Sequence, residues 1–144
     1  MRVGLVGAVK SKRRRPAEAG ELYTSPLFRG RAAYVERTCD RWYVLTPREG
    51  LVDPEWVVAP SEESLTVVPA SWRRAWSVRV IDALVHELGD LHSHVFEIHA
   101  GAAFRDFGLV DGLERRGAAV EIPARGMSQG AQLAFYAAAR RAAG

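Results

Sequence analysis

The sequence predicts a compact three-layer α/β sandwich built on a four-stranded, mostly parallel sheet. Three observations carry that expectation. Short apolar, β-branched runs alternate four times with segments of helical period, the connections are long enough for parallel crossovers, and the runs are apolar enough to be buried on both faces. The chain has 144 residues, 48% hydrophobic and 26% charged, the proportions of an ordinary globular protein. One α/β domain over residues 1–144 is therefore expected.

Arg2 to Val9 reads as the first, central strand, with Gly4 and Gly7 inside it marking close backbone packing. The polar run Lys10-Ser11-Lys12-Arg13-Arg14-Arg15-Pro16 ends it. Ser25-Pro26 predicts a helix start, the hydroxyl as N-cap and proline at the first helical position. That helix should run through Leu27, Phe28, Ala32, Tyr34 and Val35 to about Thr38. Trp42-Tyr43-Val44-Leu45 is a second buried strand, stopped by Thr46-Pro47. A loop with Gly50 and Pro54 follows, and Val57-Val58 adds a short extended piece. Trp72, Trp76, Val80, Leu84 and Leu88 recur every four residues, predicting a helix from Ser71 to a stop at Gly89, with both tryptophans in the core. Val95 to Ile98 forms a third strand and Ala102 to Arg116 a third helix, weakened in its middle by Gly108 and Gly112. Val120 to Ile122 is the fourth strand, and Ser128 opens a last helix through Leu133, Phe135 and Tyr136.

Several classes lose support. No window reaches the ~18–20 apolar residues of a membrane span, and Met1-Arg2 leads straight into Val3-Gly4-Leu5-Val6 rather than a secretory signal. A cytoplasmic protein without a membrane partner is expected. Cys39 is the one cysteine, so an internal disulfide and a cysteine metal cluster are excluded. Neither G-x-x-x-x-G-K nor G-x-G-x-x-G occurs, which argues against phosphate loops and dinucleotide folds. His86, His92, His94 and His99 lack H-E-x-x-H spacing and read as loop or surface histidines. Neither metal nor cofactor is expected.

Charge is distributed unevenly. Residues 1–50 hold 11 Lys/Arg against five Asp/Glu, whereas the remainder holds nine against 12. A basic N-terminal third of this kind points to a polyanion. In open parallel sheets ligands bind beyond the carboxyl ends of the strands, where strand-to-helix loops gather. That rule selects the segments 8–25, 46–60, 100–103 and 124–132. They bring Lys10, Lys12, Arg13, Arg14, Arg15, Arg48 and Arg125 together with Tyr23, Ser25, Gln129 and Gln132. Glu49 and Asp53 are the carboxylates placed for acid–base work. For Asp53, before Pro54, the competing reading is a turn-forming Asx cap; for Glu49 it is a surface pair with Arg48. Trp56, in a loop, is the one tryptophan open to stacking on a base.

The segments Val6-Gly7-Ala8-Val9-Lys10-Ser11-Lys12, Leu22-Tyr23-Thr24-Ser25-Pro26-Leu27-Phe28, Trp42-Tyr43-Val44-Leu45, Gly50-Leu51-Val52-Asp53-Pro54 and Gln129-Gly130-Ala131-Gln132-Leu133 resemble a bacterial domain-of-unknown-function family related to the YaaA-like proteins. The resemblance implies a compact relative of the uracil-DNA glycosylase fold, and relatives that look like phage-defence DNA glycosylases. It departs in three places. Pro47-Arg48-Glu49 stands where the family has a small residue, Lys and His; Ala8 stands where Cys is common; Ser61 stands where an aromatic is often seen. A carboxylate thus replaces a histidine acid or base, and a thiol role at Ala8 is excluded. The expectation that follows is a DNA glycosylase acting on a modified base, which must leave the stack to be attacked. Lys12, Arg13, Arg14, Arg15, Arg48 and Arg125 would hold the DNA. Ala8, Tyr23, Ser25, Gln129 and Gln132 would form the base pocket, Tyr23 by stacking. Glu49, Asp53 and Lys10 would carry the chemistry. The competing expectations are a non-enzymatic nucleic-acid or nucleotide binding module and a nucleobase or nucleoside transferase.

Overall fold

The computed structural model describes residues 1–143. Strand β1 (Arg2–Gly7) lies at the centre of a sheet with β3 (Arg41–Thr46) on one side and β6 (Val95–His99) on the other, both parallel to it. Beyond β6 lies β7 (Ala119–Glu121), also parallel, and beyond β3 lies β4 (Gly50–Val52), antiparallel. The sheet thus has five strands, in the order β4-β3-β1-β6-β7, rather than the four expected. The extra strand is a hairpin return. Thr46, Leu45 and Val44 pair with Gly50, Leu51 and Val52, a run too short to show alternation in sequence. A separate antiparallel pair joins β2 (Ala17–Glu18) to β5 (Val57–Val58). Between these lie α1 (Ala19–Leu22) and, on the sheet itself, α2 (Pro26–Thr38).

Helix α2 begins as the sequence dictates, with Ser25 Oγ accepting from Phe28 N at 3.1 Å and Pro26 in the first turn. It packs on β1 and β3 beside α6 (Gln129–Ala143). Gly4 permits the approach, because a Cβ there would lie 2.7 Å from the Cβ of Val35. The opposite face carries α3 (Ala70–Leu88), α4 (Ala102–Arg105) and α5 (Leu109–Arg115). Val3, Leu5, Tyr43, Leu45, Phe96 and Ile98 point to that side; Val6 and Val44 point to α2, as period-2 alternation requires.

Three element-level expectations need correction. The first strand stops at Gly7, two residues early, because the chain leaves the sheet toward the basic loop. The single helix over 102–116 is two, since Gly108 adopts φ 111° and caps α5 from the left-handed region, where an α-helix cannot continue. Trp76 is 1% exposed, but Trp72 is 52% exposed. A strict four-residue repeat drifts around a helix of 3.6 residues per turn, so its first member has rotated to solvent.

Candidate functional site

The carboxyl ends of β1 and β3 open into a recess of about 220 Å³. Ala8, Lys10, Lys12 and Tyr23 line it from the segment after β1, Arg48 and Glu49 from the hairpin turn, and residues 59–64 close it. Lys12 and Glu49 therefore share one cavity. The backbone that builds it is well tied. Ala8 N donates to Leu45 O at 2.8 Å, extending the β1–β3 ladder by a residue. Lys12 and Tyr23 form an isolated antiparallel bridge, flanked by Arg13 N to Leu22 O at 2.8 Å and Thr24 N to Ser11 O at 3.0 Å. The basic segment is thus a paired strand-like arm rather than a free loop.

The turn carrying Glu49 is fixed from two directions. Thr46 Oγ1 donates to Glu49 Oε2 at 2.7 Å and accepts from Glu49 N at 3.0 Å. From α3, the buried Trp76 indole donates to Thr46 O at 2.9 Å and Arg79 donates to Arg48 O at 3.0 Å. Glu49 is bound to Thr46, not to Arg48 as the surface-pair reading had it. Lys12 Nζ donates to Lys10 O at 2.8 Å and stands 3.7 Å from Glu62, so its ammonium is held at the cavity wall. Tyr23 is buried, its ring 4.9 Å from Phe28. Burial, and then the charge of Glu49, pushes its phenol up to about 12. Packed on Phe28, it forms part of the recess wall.

A shallow open concavity continues from the recess along Lys10, Ser11, Lys12, Arg13 and Arg14. Arg13 is anchored through Nε to Glu21 O at 2.9 Å, while Arg14 and Arg15 are exposed. Four cations of the N-terminal segment thus share one surface.

Five expected site residues lie elsewhere. Because β4 runs back against β3, Asp53 sits near Arg41 at the opposite end of the strands, and its Oδ1 accepts from Glu55 N at 2.9 Å. It is the Asx turn. Ser25 caps α2 and does not line the recess. Arg125 and Gln129 are exposed on the segment leading into α6. Gln132 lines a second recess, of about 320 Å³, beyond the ends of β6 and β7.

That second recess exposes what the sequence reading missed. His99 is 2% exposed rather than a surface histidine. One ring nitrogen, Nε2, lies 2.9 Å from Glu97 Oε1 and the other, Nδ1, 2.6 Å from the Tyr136 hydroxyl. Thr38 Oγ1 donates to the same Glu97 oxygen at 3.0 Å, and Arg2 donates to the other at 2.9 Å. Burial drives the Glu97 carboxyl up, but hydrogen bonds from His99, Thr38 and Arg2 together outweigh it and hold the carboxyl below its ordinary value. Burial pushes the Tyr136 phenol up to about 12, with Arg31 working against it. A signal was present: Glu97 and His99 stand two apart in a strand, so they share one face, and that face is covered by helices.

A family model described as a family of unknown function, DUF6884, matches residues 3–138. Neither a curated protein nor a solved structure matches the chain.

Proposed function

We propose, for a chain that belongs to the DUF6884 family of unknown function, that it hydrolyses the N-glycosidic bond of a modified base in DNA, as a compact relative of the uracil-DNA glycosylase fold. The observation that carries this reading is the shared recess. Glu49, Lys10, Lys12 and Tyr23 line one cavity of about 220 Å³ that opens onto a basic shelf. Its volume lies below the ~300–1,000 Å³ of sites for drug-sized ligands and suits a single base better than a whole nucleotide. The shelf supplies phosphate contacts through Arg13 and Arg14, with Arg15 exposed beside them in the chain.

A flipped base would enter between the arm after β1 and the hairpin turn. Thr46 engages Oε2 of Glu49, leaving Oε1 for a water. As the C1′–N bond breaks, the water oxygen bonds to C1′ and its proton passes to Glu49. The departing base takes the bonding electron pair, and Lys10 or the un-ionised Tyr23 phenol donates a hydrogen bond or a proton to it. Glu49 is the catalytic acid–base group in this scheme; Asp53, at the other end of the strands, has no part. The likeness to the YaaA-like proteins and to phage-defence glycosylases belongs to this proposal.

The test is direct. Full-length protein is incubated with DNA carrying natural, hydroxymethylated or glucosylated bases, and abasic sites are counted. Release from a modified substrate is expected, with a loss of ~10²–10⁴-fold in Glu49→Gln, the typical contribution of acid–base catalysis. No release from any substrate by a folded, DNA-bound sample overturns the proposal. A second reading, a binding module without turnover, is favoured by the open shelf itself. It predicts that Glu49→Gln leaves DNA affinity intact and that the wild type releases no base.

A further inference from the structure

The second recess has a feature that the glycosidic reading leaves unused: a buried cation without an anion. Arg31, on α2, is 5% exposed. Its Nη2 donates to Gln132 Oε1 at 3.1 Å, its Nε is buried with no partner, and no carboxylate among the described residues pairs with it. Burial lowers its pKa, the neighbouring Tyr136 hydroxyl offsets part of that, and the nearby charge of Arg105 lowers it again. Arg105 lines the recess, spending Nε on Ala100 O at 3.1 Å and leaning toward the exposed Asp106 at 3.4 Å. The acid nearest in the network, Glu97, lies behind the His99 ring and is already engaged by His99, Thr38 and Arg2.

Native proteins pair their buried charges, because desolvating a lone guanidinium is costly. Here Arg105, Gln132 and the Tyr136–His99 pair line one cavity of about 320 Å³, and Arg31 stands directly behind Gln132, so two guanidinium charges lie at or just behind a recess that no carboxylate lines. We propose that this recess binds a phosphate group, whose charge answers Arg31 and Arg105. Arg105 reaches the cavity from α4 and Gln132 from α6, and two guanidinium charges suit the nearly doubly charged phosphate better than the single charge of a carboxylate. Arg105 at the opening takes the ion directly. Arg31 acts from behind Gln132 and Tyr136, which line the cavity. The Glu97–His99 pair orients the Tyr136 hydroxyl.

The test contains no DNA, so its result is independent of the glycosidic proposal. Thermal unfolding and calorimetric titration are run on the full chain with inorganic phosphate, with a nucleoside 5′-monophosphate, and with acetate at matched ionic strength. Saturable stabilisation by phosphate but not acetate is expected, weakened at least ~10-fold in Arg105→Gln and in Arg31→Met, and unchanged when Arg13, Arg14 and Arg15 are replaced by Gln. Arg31→Met exchanges an unpaired buried charge for an apolar chain of similar length, a class of change that is often neutral or stabilising. Arg105→Gln, nearer the surface, carries the same expectation should the first variant fail to fold. Tighter binding of the monophosphate identifies a nucleotide as the source of the phosphate, and equal or weaker binding identifies the free ion; both support the site. Equal stabilisation by acetate, no stabilisation at all, or a phosphate effect that survives Arg105→Gln yet vanishes with the three arginines overturns it.

Discussion

Glu97 shows how one buried side chain couples stability to pH. Its carboxylate receives hydrogen bonds from His99, Thr38 and Arg2 at 2.9–3.0 Å, and in the folded protein it titrates below its ordinary value of 4.5. The folded state therefore binds fewer protons than the unfolded state in the acid range. The stabilisation is complete above about 4.5 and is lost as pH falls through the folded value. Glu97→Gln should cost about 3 kcal/mol at pH 7, the scale of breaking a buried pair. Denaturant titrations of both proteins should show that difference narrowing as pH falls from 7 to below 4; a constant difference would mean that the charge contributes nothing. Glu49, by contrast, is exposed and bound to Thr46 alone among side chains, the environment of a group left free to meet a substrate. The same carboxyl group is thus locked into a buried network in one place and left exposed at the rim of a recess in the other.

Among the elements, α3 links the core to the candidate site. Trp76 fills the core between β3 and α4, edge-on to Phe104 at 5.4 Å, and its indole N–H holds the carbonyl of Thr46. Trp72, one turn earlier, is half exposed. Trp76→Ala should cost about 3–5 kcal/mol, whereas Trp72→Ala should stay within about 0.5 kcal/mol of the parent, both measured by urea unfolding. Comparable costs would mean that the two indoles share the core after all. The antiparallel β4 has a different consequence. It turns the chain back along β3, so Glu49 remains at the recess while Asp53, four residues later, is delivered to the opposite end. Three residues of strand decide which of two acids can reach a ligand.

Over the whole molecule, Lys10, Lys12, Arg13 and Arg14 form one shelf because Lys12 pairs with Tyr23 and lays the arm across the ends of β1 and β3. If DNA lies there, binding must release counterions from the phosphates that it neutralises. The slope of log K against log salt should therefore be shallower by roughly 3 when Arg13, Arg14 and Arg15 are all replaced by Gln, at about 0.9 per phosphate. Fluorescence anisotropy over a salt series measures it, and an unchanged slope would move the DNA to another face. Among the described residues, no helix is long and apolar enough to cross a membrane.

The sequence alone settled the strand and helix alternation, the Ser25-Pro26 helix start, the close packing at Gly4 and the gathering of Lys10, Lys12, Tyr23, Arg48 and Glu49 at one rim. These follow from local periodicity, from the geometry of caps, and from the rule that parallel strands present their following loops at the same end. Tertiary structure decided the fifth strand, the fate of Asp53 and Ser25, and the assembly of Glu97, His99, Tyr136, Arg31 and Gln132 between β6 and the two helices on its face. Of these, Arg31 and Gln132, which share a hydrogen bond, stand 101 positions apart in the chain. No local pattern encodes their meeting, because it arises only when α2 and α6 close over the same side of the sheet.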